Sequence, residues 1–220
     1  MDLEFLTWLG HASFLLNLNG KNVYIDPFHL EEKKVKHHAD IILITHPHSD
    51  HLSESDIKLI ADSSTNIFVP FDSMEKIPVG KVTGVEPNKH YSVDGVEFDT
   101  VPAYNHNPNK VHFHPKENKW VGYILDINGT KVYHAGDTDF IKEMSKINTN
   151  LAMLPMGGTY VMDLDEMIQA SHSVKADKVA PIHYRRLLGK DGSKAAEKKF
   201  LENVKNGIIL DEYGEPKYSF

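Results

Sequence analysis

Six consecutive residues constrain this chain more than any others: His46-Pro47-His48-Ser49-Asp50-His51, separated by Thr45 alone from the apolar run Ile41-Ile42-Leu43-Ile44. Imidazole and carboxylate are the ligand types that zinc and similar divalent ions prefer. The uninterrupted β-branched run predicts a strand over Asp40–Thr45, buried on both faces. A strand delivers the chain to one edge of a sheet, and a tight loop there can turn four donor side chains back on one point. A hydrolytic metal centre needs that arrangement. A solvated histidine-rich loop is the plain alternative, and the position at a strand end, where sites are commonly built, weighs against it.

The rest of the chain reads as further strands with helices among them. Leu3–Leu9, Ser13–Leu18 and Lys21–Asp26 are short apolar runs, and Asn19-Gly20 is a strong two-residue hairpin signal. Ser53–Ser63 reads as a helix with Ser53 as N-cap. Asn66–Val69, Lys81–Glu86 and Val96–Ala103 are candidate strands, with a turn at Asp94-Gly95. Tyr104–Asn118 is a long polar stretch, and a loop of that length in a compact domain is usually functional or mobile. Lys119–Ile127, Asn128-Gly129 and Thr130–His134 form the clearest hairpin. Asp139–Ile147 is expected to be a helix, Leu151–Pro155 a strand, and Asp163–Val174 a helix with a capping box from Asp163 to Glu166. Lys178–Ile182 is a strand, Ser193–Lys205 a helix stopped by Gly207, and Ile208–Leu210 ends the core. This order suggests two sheets packed face to face with helices outside.

Composition narrows the class of function. The 220 residues carry 24 basic and 31 acidic side chains, a net charge of −7, with no dense basic stripe, so no nucleic-acid partner is expected. Hydrophobic content of 40% and charged content of 25% are ordinary for a soluble globular protein. With no cysteine, disulfides and thiolate zinc sites are excluded. No segment approaches the roughly 20 apolar residues of a membrane span, and the N-terminus lacks a basic leader, so the expected location is cytoplasmic, with no membrane partner.

A binuclear site needs more donors than the motif loop holds, and they too should lie at strand ends. His134-Ala135-Gly136-Asp137-Thr138-Asp139 follows a hairpin strand, and its small residues permit close backbone approach. Asp137 could place one oxygen on each of two ions, with Asp139 left to cap the helix that follows. Pro181-Ile182-His183-Tyr184 ends another apolar strand and offers His183. Gly157-Gly158-Thr159-Tyr160 reads as a simple turn, Arg185 and Arg186 as solvated surface arginines, and Glu31–His38 as a solvated charged loop.

Gly10-His11, Asp26-Pro27-Phe28, the His46–His51 motif, Gly136-Asp137-Thr138 and Pro181-Ile182-His183-Tyr184 occur in the order seen in the metallo-β-lactamase superfamily. The chain resembles that superfamily over essentially its whole length, and within it the short metal-dependent hydrolases related to L-ascorbate-6-phosphate lactonase. The resemblance implies an α/β (α+β) four-layer αββα sandwich of two mixed sheets with helices on the outer faces, as a single domain over residues 1–220. It implies zinc, as one or two ions, with Mn²⁺ or Fe²⁺ as alternatives. By carry-over, His46 and His48 would hold the first ion, Asp50, His51 and His183 the second, and Asp137 would bridge them.

The family usually supplies a third histidine to the first ion from the end of a middle strand. Here the matching position is Asn105. His106 is one residue off and would face the other way in an extended chain unless a bulge re-aims it, and His114 in the long loop is a third candidate. Asp26 is expected to steady the motif loop or a ligand imidazole. Asp50 would orient the nucleophile or shuttle a proton, and His11 or His114 would protonate the leaving group. The implied activity is hydrolysis of a small ester, lactone or phosphodiester. The alternatives are a nuclease, a redox di-iron protein, and a non-catalytic metal-binding or sensing protein. The second lacks support because that branch carries Glu where this chain has His48.

Overall fold

The computed structural model describes residues 3–18, 20–31, 37–127 and 129–214. Two six-stranded mixed sheets pack face to face. The first holds β1 (Leu6–Gly10), β2 (Ser13–Leu18), β3 (Lys21–Ile25), β4 (Ile41–Leu43), β5 (Asn66–Pro70) and β6 (Lys81–Val85), in that spatial order. The second holds β7 (His90–Val93), β8 (Val96–Pro102), β9 (Val121–Ile127), β10 (Thr130–His134), β11 (Asn148–Pro155) and β12 (Lys175–Ile182), in the spatial order β12 to β7. In each sheet the hairpin-linked strands are antiparallel, as are β8 and β9 across the long connection between them, and the remaining neighbours are parallel. Long connections are what parallel pairing demands.

The strand pattern explains the layers. In β4 and β5, Ile41, Leu43 and Phe68 turn into the core between the sheets, where Phe98, Tyr123 and Leu125 meet them. Their neighbours Ile42, Ile67 and Val69 turn outward onto α1 (Glu54–Ile60), against Ile57 and Ile60. Alternate residues of one strand thus feed two apolar layers, which is why these strands show no polar face. Helices α2 (Leu164–Ser173) and α3 (Arg185–Asn203) belong to the second sheet's side, with Met167, Ala170, Ala196 and Phe200 buried. The two-sheet expectation holds, and among the described residues no helix is long and apolar enough to cross a membrane.

Several local expectations are corrected. Asp139–Ile147 is not an α-helix. Asp139 is spent on tertiary bonds, and Ile141 is extended (φ −100°, ψ 150°), leaving only a 3₁₀ turn over Lys142–Lys146. Five residues are too few to repay helix nucleation. The strand β7 adds to the expected strands, and the expected Asp94-Gly95 turn creates it. Both turn residues have positive φ and pair Val93 with Val96. The last helix starts at Arg185 rather than Ser193, because a first turn before a break at Gly189 (φ 65°) already holds helical hydrogen bonds. Asn19, Asn128 and residues 32–36 of the charged run lie outside the described residues. The flanks of both hairpins pair with a two-residue connection, Leu18 opposite Lys21 and Ile127 opposite Thr130.

At one edge the sheets are joined by hydrogen bonds. The Val121 N–H donates to Thr45 O (3.2 Å), the Tyr123 hydroxyl to Ile44 O (2.7 Å), His134 Nε2 to Ala12 O (2.8 Å) and the His183 N–H to His11 O (3.1 Å). Each bond links one sheet, or the loop leaving it, to the other. That edge is where the histidine motif emerges.

Candidate metal centre

The motif loop leaves β4 at the pinned edge and folds back on itself, with the N–H groups of His51 and Leu52 donating to His48 O. His46 and His51 are buried, His48 is partly exposed, and Asp50 reaches solvent with its side chain 25% exposed. Asp137 enters from the end of β10, and His183 from the end of β12. His114 comes from the long connection between β8 and β9. Donor atoms of His46, His48 and His114 lie within 4.8 Å of one another, as do those of His46, His51 and Asp137, and those of His11, Asp50, His51 and His183. The Asp137 carboxylate stands between the two histidine groups. Its Oδ1 is 3.3 Å from His51 Nε2, and its Oδ2 is 3.2 Å from His183 Nε2, 3.3 Å from His114 Nε2 and 3.9 Å from His46 Nε2.

Backbone geometry is bent to bring these groups in. His11, Asp26 and His183 all have left-handed φ, of 54°, 46° and 56°, a region costly for side chains of this kind and concentrated at functional sites. Gly136 (φ 65°) passes so close to β9 that a Cβ there would sit 2.9 Å from Val121 O. A Cβ on Gly157 would collide with His183 O and Leu187 Cδ1, so the turn after β11 must be glycine for His183 to hold its place.

Hydrogen bonds set which imidazole nitrogens face inward. His51 Nδ1–H donates to Asp26 Oδ2 at 2.7 Å, so its Nε2 presents a lone pair. Thr45 Oγ1 spends its only proton on Asp26 Oδ2 (2.7 Å) and therefore accepts from His46 Nδ1–H (2.9 Å), which leaves a lone pair on His46 Nε2. The Thr45 N–H also donates to Asp26 Oδ1. Asp26, expected to steady the motif, thus aims His51 directly and His46 through Thr45. His11 Nε2–H donates to Asp50 Oδ2 (3.0 Å), and its ring lies 3.8 Å from that of His183. His134 turns away: Nε2 donates to Ala12 O, and Nδ1 accepts from the Gly136 N–H.

The electrostatics follow from burial and crowding. Burial raises the Asp50 and Asp137 carboxyls, but the imidazoles around them outweigh it and hold both well below the usual carboxylate range. Burial lowers His183, but Asp137 and Asp50 outweigh it and push His183 up to about 9. His51 is likewise raised by Asp137, Asp50 and Asp26. Burial dominates elsewhere, lowering His46 strongly, His48 to about 4 and His11 to about 3.

The donor set fits divalent metal. His51 Nε2, His114 Nε2, His183 Nε2 and Asp137 Oδ1 are buried yet make no hydrogen bond of good geometry. Leaving such atoms unpaired costs on the order of 1–3 kcal/mol each. Tetrahedral ligands about 2.1 Å from one ion lie about 3.4 Å apart, and the separations around Asp137 run from 3.2 to 3.9 Å.

The expected residues that do not join are as informative. His106 is turned to solvent, with Nδ1 3.3 Å from Asp139 Oδ2, as the alternation of an extended chain demands without a bulge. The Asn105 amide donates to Lys110 O (3.0 Å) and Tyr160 O (2.7 Å), so it ties two loops together. His114 fills the space instead, its ring 5.0 Å from His46 and 4.9 Å from His48. Arg185 and Arg186 are buried, against the expectation of solvated side chains. Arg185 stacks on Trp8 and pairs with Glu197 and Glu212, and Arg186 lies over Phe28. Three contributors escaped the sequence reading. Trp120 packs on His46, His48 and His114 and donates to Asp72. Thr45 had a signal in its place between strand and motif. Lys110 had none.

The sequence matches the beta-lactamase superfamily domain over residues 5–183. It is 34% identical over 191 residues to a UPF0173 metal-dependent hydrolase of Thermococcus kodakarensis, covering 80% of this chain and 83% of that one. A UPF0173 metal-dependent hydrolase of Saccharolobus solfataricus is 32% identical over 219 residues, with 91% and 92% covered. Among solved structures, Igni18, a metallo hydrolase from Ignicoccus hospitalis, superposes with a TM-score of 0.75 at 25% identity over 96% of this chain and 95% of that one.

Proposed function

The chain belongs to the metallo-β-lactamase superfamily, and from that footing we propose that it is a hydrolase of a small ester, lactone or phosphodiester built around two divalent ions, with zinc the first candidate. His46, His48 and His114 would hold one ion, Asp50, His51 and His183 the other, and Asp137 would face both. When bound, such ions supply Lewis acidity and a nucleophile competent at neutral pH.

The protein's own groups do the rest. Asp26 and Thr45 hold the rings of His51 and His46 in one orientation each. Asp50 is the carboxylate of the cluster that reaches solvent. Its Oδ2 accepts from His11 Nε2–H, which fixes the carboxylate where it would orient the nucleophile or shuttle a proton. His11 thus positions Asp50, while burial lowers its own basicity. The observation carrying this reading is the convergence of buried, hydrogen-bond-deficient donors from four separated chain segments.

The test is elemental analysis of purified protein with a screen of lactones, phosphodiesters, thioesters and amides. The expected result is close to two metal ions per chain and turnover of at least one class, both lost in Asp137→Ala and His183→Ala. Full metal and activity in both variants would sink the assignment. Metal retained without turnover on the whole panel would favour a binding or sensing protein.

A further inference from the structure

We propose that Lys110 is a positioning residue for His114: its side chain locks the long connection between β8 and β9 so that the imidazole lands beside His46 and His48. This rests on the metal-centre reading above. His114 differs from the other gathered histidines in what holds it. His46 is aimed by Thr45 and His51 by Asp26, each through the ring nitrogen facing away from the centre. The corresponding Nδ1 of His114 is buried and makes no hydrogen bond among the described residues. His183 shares that lack, but it sits at the end of β12 with its backbone bonded to His11 O. His114 sits on a loop with no strand behind it and with only the carbonyl of its backbone bonded, to the Asn105 N–H, so the loop's own anchorage must fix its ring.

The middle of that anchorage runs through one lysine. Lys110 Nζ donates to Glu166 Oε2 (2.7 Å) and Val161 O (2.9 Å), and lies 3.6 Å from Asp139 Oδ1. Its side chain is only 12% exposed, and that of Asp139 is fully buried. The other Asp139 oxygen accepts the N–H groups of His106 and Asn107, both at 2.8 Å, so Asp139 holds the start of the loop. The Lys110 carbonyl accepts from the Asn105 amide and from the Phe113 N–H, while the Asn105 N–H donates to His114 O (2.8 Å). The loop is therefore fastened at its beginning by Asp139, across its middle by Lys110 to α2, and at its end to Asn105. Asp139 lies two residues after Asp137, so one segment carries both Asp137 and the carboxylate that holds the start of the loop. Removing the ammonium frees the middle of the loop and deprives a buried carboxylate of its cation, with His114 four residues downstream.

The experiment titrates metal-free protein with Zn²⁺ against a chromophoric chelator, with elemental analysis of the product and thermal unfolding of the metal-free forms. His114→Ala identifies the binding step that depends on that histidine. Lys110→Met keeps the length and removes the charge. It should weaken that same step 10-fold or more, within the range seen when partners supporting a ligand are lost, and leave the other step within about twofold. Added to His114→Ala, it should cost that step nothing further, because the two act as a unit. Lys110→Met with both steps unchanged, or an equal loss in the presence and absence of His114, would overturn the proposal. If Lys110→Met does not fold, Glu166→Gln takes its place, since glutamine can keep the helix cap while loosening the lysine. A loss of threefold or more at the same step supports the proposal, and no loss overturns it. Zinc uptake that survives in both His48→Ala and His183→Ala would overturn the functional reading together with this inference. Uptake lost in those variants but intact in Lys110→Met would overturn this inference alone.

Discussion

At the scale of single residues, the centre depends on side chains that would never touch an ion. Asp26 accepts three hydrogen bonds, from the Thr45 backbone, the Thr45 hydroxyl and His51. Asp26→Asn should lower zinc affinity by about 10–100-fold while the fold persists, because the amide presents a donor where His51 needs an acceptor; chelator competition reads it, and unchanged affinity would refute the role. Gly157→Ala should be worse for the site than for the rest of the molecule. The added methyl meets His183 O and Leu187, so loss of the ion held with His183 is expected even where circular dichroism remains native.

At the scale of elements, strand ends supply most donors. Strands stop where their backbone pairing stops, and the next residue is free to turn inward. His46, Asp137 and His183 each follow a strand by that rule, and the rule is readable in sequence as an apolar run meeting a polar residue. The helices matter for support. Asp163 caps α2, accepting from the Glu166 N–H while Glu166 returns a bond to the Asp163 N–H. Asp163→Ala should cost about 1 kcal/mol, measured as a shift in the denaturant midpoint with an unchanged slope. The mistaken helix over Asp139–Ile147 belongs to this scale as well. A local sequence that suits a cap was overridden because a buried carboxylate found backbone N–H donors 33 residues away.

At the scale of the molecule, the two sheets form one core, and the centre sits where hydrogen bonds tie them. Phe98 lies between the sheets against Phe68 and Tyr123, with 1% of its surface exposed. Phe98→Ala should destabilise by about 3–5 kcal/mol with metal ligands untouched, measured by chemical unfolding of the metal-free protein. Tyr123→Phe removes the hydroxyl that bonds Ile44 O beneath the motif, leaving a buried carbonyl short of a partner. A loss of about 1–3 kcal/mol is expected, and no change in the midpoint would show that the tie contributes nothing.

What the sequence alone determined is whatever rests on near neighbours: the alternation that makes strands, the glycine turns of the hairpins, the capping box of α2, and a motif whose donors lie within six residues. What only the tertiary structure decided is which distant side chains share a point. Asn105, His106 and His114 were equal on paper. The choice fell to His114 because Asn105 is spent joining loops, His106 faces solvent, and Lys110 ties the intervening chain to a helix 56 residues further along. Local pattern carries no record of such a bond, since its energy depends on groups that meet only after both sheets have closed.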